Sequence, residues 1–236
     1  MTPVQKLKAT LGGECRGCWT VDEGNKLVGI DASGLELRML AHYMKDEDYV
    51  QTILEGDIHS ANQAAAGLDT RDQAKTFIYA FLYGAGDAKI GSIAGKGAAH
   101  GRKLKSDFLN NIPSLKTLKE LVERIAEKNG SLPSLDGRRI RIRKAYSALN
   151  FLLQGGGAAL MKQALLNGVD SLRAANIPFK IVANVHDELQ VETPEAYANA
   201  VGLHFRDAIR KAGDDFELRC PMDGEYQIGD NWSETH

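Results

Sequence analysis

Phe179-Lys180-Ile181-Val182-Ala183-Asn184-Val185-His186-Asp187-Glu188-Leu189-Gln190-Val191 reads as two short apolar strands broken at His186-Asp187. The two runs are strand-length and β-branched, and the break is polar, so the stretch is predicted to fold back as a hairpin with acids at its tip. Upstream, Phe151–Ala174 is a long apolar-faced helix beginning near Asn150. Downstream, Pro194–Ala212 is helical and Glu217–Gln227 supplies a final strand. Far earlier, Lys26–Ala32 is another short apolar strand, ended by Ser33-Gly34 and followed by a helix over Leu35–Met44. Between these lie helices starting at Asp57 and at Thr70, then Gly101–Asn111 and Ser114–Asn129. Gly91–Gly101 reads as a loop or a helix–helix joint, Asp136-Gly137 as a hairpin turn, and Arg138–Lys144 as an alternating strand. A strand, many helices, then strand–helix–strand predicts an α+β fold with the helices grouped on an insertion.

Composition narrows the class. The 236 residues are 43% apolar and 25% charged, an ordinary globular balance. No apolar run approaches the ~18 residues needed to cross a bilayer, and Met1–Leu11 lacks the long apolar stretch of a signal peptide. Three cysteines argue for a reducing compartment, and Cys15-x-x-Cys18 has no second pair to complete a zinc site. The net charge of −2 hides an asymmetry. Lys89–Lys144 holds 14 Lys and Arg against 5 Asp and Glu, leaving the remainder strongly acidic. Such a basic segment can bind phosphates and an acidic one can hold metal ions, although a solvated charged surface has the same composition.

Three groups of residues carry candidate chemistry. Asp31 ends one apolar strand, and Asp187 and Glu188 sit at the break between two others. Each alone is equally well a solvated strand end. Together they match two-metal phosphoryl transfer, which needs clustered carboxylates around two hard ions about 3.5–4 Å apart. Arg71, Lys75, Tyr79 and Tyr83 recur every four residues, one stripe of a helix that Thr70 is suited to cap. The opposite face carries Ala74, Phe77, Ile78 and Phe81. The stripe reads either as solvated surface or as a triphosphate clamp at a helix N-terminus, with the tyrosines placed to stack on base and sugar. Arg139, Arg141 and Arg143 alternate with Ile140 and Ile142, which suits a nucleic-acid backbone or a charge-guarded edge strand. Asn150 and Gln154 stand four apart at the start of the long helix, where they could contact a base edge or, for Asn150, cap the helix.

In combination these stretches resemble the family A DNA polymerases. Asp31-Ala-Ser-Gly-Leu-Glu-Leu-Arg-Met-Leu-Ala-His42 resembles their first palm motif, Thr70 through Gly86 their fingers motif, and Val185-His-Asp-Glu-Leu-Gln190 their last palm motif. The similarity is greatest to the T-odd coliphage type and runs from about Glu14 to His236. It implies an antiparallel-sheet palm with an inserted helical fingers subdomain: a first palm segment over 1–46, fingers over 47–149 and a second palm segment over 150–236. It implies Asp31 and Asp187 as catalytic metal ligands with the Ala32 carbonyl, Glu188 beside them, and two Mg2+ ions as cofactor. Glu36 would be the gate against a ribose 2′-hydroxyl, holding Tyr79 by a hydrogen bond. His59, Arg71 and Lys75 would grip the incoming dNTP, with Lys75 the proton donor to pyrophosphate. Tyr83, His186, Arg138, Asn150 and Gln154 would contact primer-template DNA.

The implied activity is templated nucleotidyl transfer to a primer 3′-hydroxyl. A two-metal nuclease and a non-catalytic DNA-binding subunit are the competing classes. The family also carries a thumb and an exonuclease domain, for which this chain has no room. It is therefore expected to be one part of a split or truncated polymerase whose second chain supplies the thumb, in the cytoplasm of a phage-infected bacterium.

Overall fold

The computed structural model describes residues 11–236, so the reading of the first residues as free of a leader falls almost wholly outside the described residues. The chain divides into two compact units. One comprises the chain up to Leu35 together with Gly157–His236, and the other is Glu36–Gly156. The palm and fingers seams expected at 46/47 and 149/150 both lie inside the second unit.

The first unit is built on a four-stranded antiparallel sheet. Its strands are β1 (Asn25–Ala32), β4 (Lys180–Val185), β5 (Glu188–Pro194) and β6 (Gly224–Gly229), in the order β4-β5-β1-β6. The predicted hairpin is present, with Val185 opposite Glu188 and a two-residue loop of His186 and Asp187. His186 has φ +58°, the left-handed conformation that such tight loops demand at a central position. Register then decides which residues share a face. Val28 and Ile30 of β1 pair with Val191 and Leu189 of β5, and all four are fully buried. They lie on the side packed by the helix Ala198–Asp215, whose Val201, Phe205 and Ile209 are also fully buried. Helix and sheet come close because Gly202 lies against Tyr226, where a Cβ would stand 2.5 Å from the ring. On the other face Leu27, Gly29 and Asp31 oppose Glu192, Gln190 and Glu188. Every residue of β5 from Glu188 to Thr193 is buried, because this polar face is covered too, by the segment after β6. The final strand is thus Gly224–Gly229 rather than Glu217–Gln227. Register with β1, which runs Leu27↔Gly229 to Ala32↔Gly224, fixes it there.

The second unit is helical. In chain order it holds α1 (Leu35–Met44, beginning at the unit boundary), α2 (Glu47–Glu55), α3 (Ile58–Ala66), α4 (Arg71–Leu82), α5 (Asp87–Ile93), α6 (Ala98–Asn111) and α7 (Pro113–Asn129). The helix α8 (Ala148–Ala174) starts here and continues past the boundary, and α9 denotes Ala198–Asp215 of the first unit. The sequence reading missed α2. Its Asp46 cap accepts from the Tyr49 N–H at 3.0 Å, and Tyr49 and Val50 bury its inner face. α4 has the anticipated Thr70 cap, completed as a capping box by Gln73. Its apolar face joins Phe77 and Phe81 to Phe108 of α6 at 5.1 and 5.3 Å between ring centroids.

The glycine-rich stretch read as a loop or joint is partly helix, since α5 ends and α6 begins within it. A Cβ on Gly101 would collide with the Asp87 carbonyl and stand 2.6 Å from the Gly91 nitrogen, so the two helices touch backbone to backbone. Strand Arg138–Lys144 shrinks to β3 (Arg139–Arg141), paired with β2 (Ser131–Pro133). Asn150 is the third residue of α8, inside the helix, so it is not its N-cap. Gly101→Ala should lower stability although alanine favours helix by ~1 kcal/mol. Overpacking against backbone costs about 1–3 kcal/mol, and the net loss will appear as a lower urea midpoint with an unchanged slope.

Candidate active site

In the first unit the carboxylates converge at one end of the sheet. Asp31 lies directly opposite Glu188 in the β1–β5 ladder, which puts both side chains on the same face. The Ala32 N–H donates to the Asp187 carbonyl at 3.1 Å, tying the hairpin tip to the end of β1. Asp31 and Asp187, 156 positions apart in the chain, become neighbours. Burial, followed by the charges of Asp187 and Glu188, pushes Asp31 up to about 6, with His236 opposing the shift. The Asp31 carboxylate lines a cavity of about 490 Å³ with Ser33, Glu188, Glu225 and His236.

The Glu188 carboxylate is buried and occupied. Trp232 Nε1 donates to its Oε1 at 2.6 Å, the Gln190 amide donates to the same oxygen, and His236 Nδ1 lies 2.6 Å from Oε2. His186 is exposed, its Nδ1 3.9 Å from Asp187 Oδ1. Among the described residues no set of three or more His, Cys, Asp or Glu converges as a ready-made metal cage. The donors at the sheet end are Asp31 and Asp187, an all-oxygen pair of the kind hard divalent ions take. Burial first, and then repulsion from Asp187 and Glu188, raise Asp31, and a cation there would favour its charged form.

In the second unit the predicted stripe on α4 is real. Arg71 and Lys75 are exposed, Tyr79 is half-buried and Tyr83 caps the helix C-terminus. Arg71 is held two-pronged by Asp57, Nε to Oδ2 at 2.6 Å and Nη2 to Oδ1 at 3.1 Å. Asp57 also caps α3 through the His59 N–H and binds Ser60. The guanidinium holds the Asp57 carboxyl well below the usual range. The His59 ring leans on Tyr79 at 6.4 Å, and burial followed by Arg71 and Lys75 lowers its pKa.

Glu36 was expected to hold Tyr79. Glu36 Oε1 accepts from the Tyr83 hydroxyl at 2.9 Å and from the Gln154 amide at 3.5 Å. The Gln154 amide in turn donates to that hydroxyl at 3.0 Å. The Arg138 guanidinium folds onto Asp136 in its own turn, Nε to Oδ2 at 2.6 Å, while Arg139 reaches Ser131. Gln154 lies one helical turn beyond Asn150.

Three groupings escaped the sequence reading: Asp57 with Arg71, Glu36 with Tyr83 and Gln154, and Trp232 with His236 on Glu188. Each joins distant positions, and no local periodicity marks any of them. The three cysteines are free thiols, Cys15 and Cys18 exposed and Cys220 buried.

The chain belongs to DNA polymerase family A, which it matches over residues 3–234. It is 38% identical to the DNA-directed DNA polymerases of Enterobacteria phage T3 and Escherichia phage T7, covering all of this chain and 38% of each relative. It is 28% identical to the thermostable DNA polymerase I of Thermus thermophilus, over 96% of this chain and 29% of that one. The chain therefore spans well under half the length of these relatives. Among solved structures, the POL domain of Pol1 from M. smegmatis, in complex with DNA primer-template and dNTP, shares the fold with a TM-score of 0.84 at 22% identity. It covers 94% of this chain and 43% of that one.

Asp31→Asn gives a pH-dependent outcome. Because the folded-state pKa is raised, ionised Asp31 costs stability above about pH 6, and that cost disappears as pH falls toward 4. The side chain is half exposed, so solvent screening reduces the effect to about 1 kcal/mol. In metal-free buffer the variant should melt about 2–4 °C above wild type at pH 8, and the gap should close only as pH falls below about 4.

Proposed function

We propose that this chain is the catalytic core of a template-directed DNA polymerase, extending a primer 3′-hydroxyl with dNTPs. The observation that carries the reading is the convergence of Asp31 and Asp187 through the Ala32–Asp187 hydrogen bond, in a family A chain. On this reading the first unit holds most of the palm. The fingers subdomain runs over 47–149, with palm segments over 1–46 and 150–236.

Asp31 and Asp187, with the Ala32 carbonyl, would hold two Mg2+ ions and Glu188 would lie beside them. Bound there, those ions lower the pKa of the attacking hydroxyl and neutralise charge on the departing pyrophosphate. The chain's own groups do the rest. Arg71, Lys75 and His59 take the triphosphate oxygens, Arg71 exchanging its Asp57 partner for phosphate. An exposed ion pair contributes only about 0–1 kcal/mol, so the exchange is cheap. The primer 3′-hydroxyl gives up its proton to solvent water and its oxygen attacks the α-phosphorus in line. The bond to the bridging oxygen breaks, and Lys75 gives its proton to the pyrophosphate. Glu36, fixed by the Tyr83 hydroxyl, occupies the space a ribose 2′-hydroxyl would need, and Tyr79 lines the sugar. Tyr83 borders the templating base. His186 approaches the primer end, and Arg138, Asn150 and Gln154 contact the duplex. A second chain supplying a thumb, with or without an exonuclease, and a cytoplasmic setting in a phage-infected bacterium complete the proposal. No helix among the described residues is long and apolar enough to cross a membrane.

Primer extension with a labelled primer and single nucleotides tests the reading. Templated addition should require magnesium and fall at least about a hundredfold in Asp187→Asn, equivalent to ~2.7 kcal/mol of transition-state stabilisation. Primer shortening would instead establish a nuclease, and retained DNA binding with an unchanged primer would establish a binding subunit. Glu36→Ala should relax discrimination against ribonucleotides by roughly 10–100-fold, measured as the ratio of kcat/KM for dNTP and rNTP. An unchanged ratio removes Glu36 from the gate.

A further inference from the structure

We propose that Trp232 and His236 are positioning residues that keep Glu188 out of the cation-binding set, so that Asp31 and Asp187 alone offer carboxylates to the metal ions. The inference rests on the two-ion polymerase reading above and assigns a role to the segment after β6.

Glu188 stands where a third ligand would be expected, opposite Asp31 on the same face of the sheet. Its Cβ would lie only about 4.5–5.5 Å from that of Asp31, and a free carboxylate there would compete for the same ions. It is not free. Both of its oxygens accept hydrogen bonds, from Trp232 Nε1 and the Gln190 amide on one side and from His236 Nδ1 on the other. The residue is only 6% exposed.

The donors are themselves anchored. Thr235 sits flat on β1 where residue 29 has no side chain: a Cβ there would collide with the Thr235 carbonyl and approach its Cβ to 2.8 Å. The Thr235 hydroxyl donates to Gln190 Oε1 at 2.8 Å, which turns the Gln190 NH2 toward Glu188. Glu234 closes the preceding turn by accepting from the Asp230 N–H at 2.8 Å and from the Asn231 amide at 2.6 Å. The Trp232 N–H donates to the Trp19 carbonyl at 3.1 Å, and the Arg16 guanidinium lies 5.7 Å from the Trp232 ring centroid. A segment that served only to cover an apolar face would not need to place one donor on each oxygen of a single carboxylate.

The test uses the full chain with Trp232→Phe, which keeps the ring and removes the N–H, and His236→Ala, singly and together. Mn2+ binding to the protein without DNA or nucleotide is read by electron paramagnetic resonance, beside primer extension and thermal melting. Freeing Glu188 should tighten Mn2+ binding about tenfold in the double variant while the extension kcat falls about tenfold and the dNTP KM stays constant. Adding Glu188→Gln to the double variant should abolish the extra Mn2+ affinity. A segment that merely stabilises the fold would weaken Mn2+ binding and extension together, and that result, or unchanged Mn2+ affinity in a variant that melts as a folded protein, overturns the proposal. A wild-type chain that never extends primers overturns the polymerase reading separately, because the Mn2+ comparison is made without DNA.

Discussion

The hydrogen bond from the Ala32 N–H to the Asp187 carbonyl completes an antiparallel ladder in which β1 and β5 are in register from Asn25–Pro194 to Asp31–Glu188. A sheet has a side-chain period of two, so a slip of one residue would turn Asp31 into the core and Val28 and Ile30 out of it. Burying four large aliphatics against α9 fixes that register at several kcal/mol, far more than the acids at its end cost. The core therefore holds the carboxylates together at a partly buried sheet end, and burial followed by their mutual repulsion raises the pKa of Asp31.

The polar face of the same sheet is not open to water along its length. The segment carrying Trp232, Thr235 and His236 lies over Gly29, Gln190 and Glu188, which is why a strand with polar residues at alternate positions is buried from Glu188 to Thr193. Buried acids need partners, and here each is accounted for. Glu188 has three donors. Glu192 has Asn25 at 2.5 Å and Lys180 at 3.3 Å. Asp31, at the end of the sheet beside the hairpin loop, is exposed by contrast.

The basic segment of the chain behaves differently. Its cations rest on local acids, Arg102 and Lys105 on Asp87 and Arg138 on Asp136, as Arg71 upstream of it rests on Asp57. Pairs of this kind orient a side chain while contributing little to stability. A polyanion can displace the acid with small loss, which suits groups that must be ordered before a phosphate arrives and available afterwards.

The sequence alone determined β1 and the β4–β5 hairpin, the capped helix of Thr70 and its two faces, because period-two and period-four patterns and capping residues are local signals. It also marked Asp31, Asp187, Arg71 and Lys75, since acids at strand breaks and cations on one helical ridge stand out against their neighbours. It misplaced the last strand and overlooked α2, because Gly224–Gly229 is held by pairing with β1 and α2 by burial of Tyr49 and Val50, neither of which is a local property. Tertiary structure alone decided that Asp31 and Asp187 are neighbours, that Tyr83 bonds Glu36, and that Glu188 is claimed by Trp232 and His236. Contacts between residues tens to hundreds of positions apart depend on strand register and on which glycines permit close approach. No window of sequence contains that information.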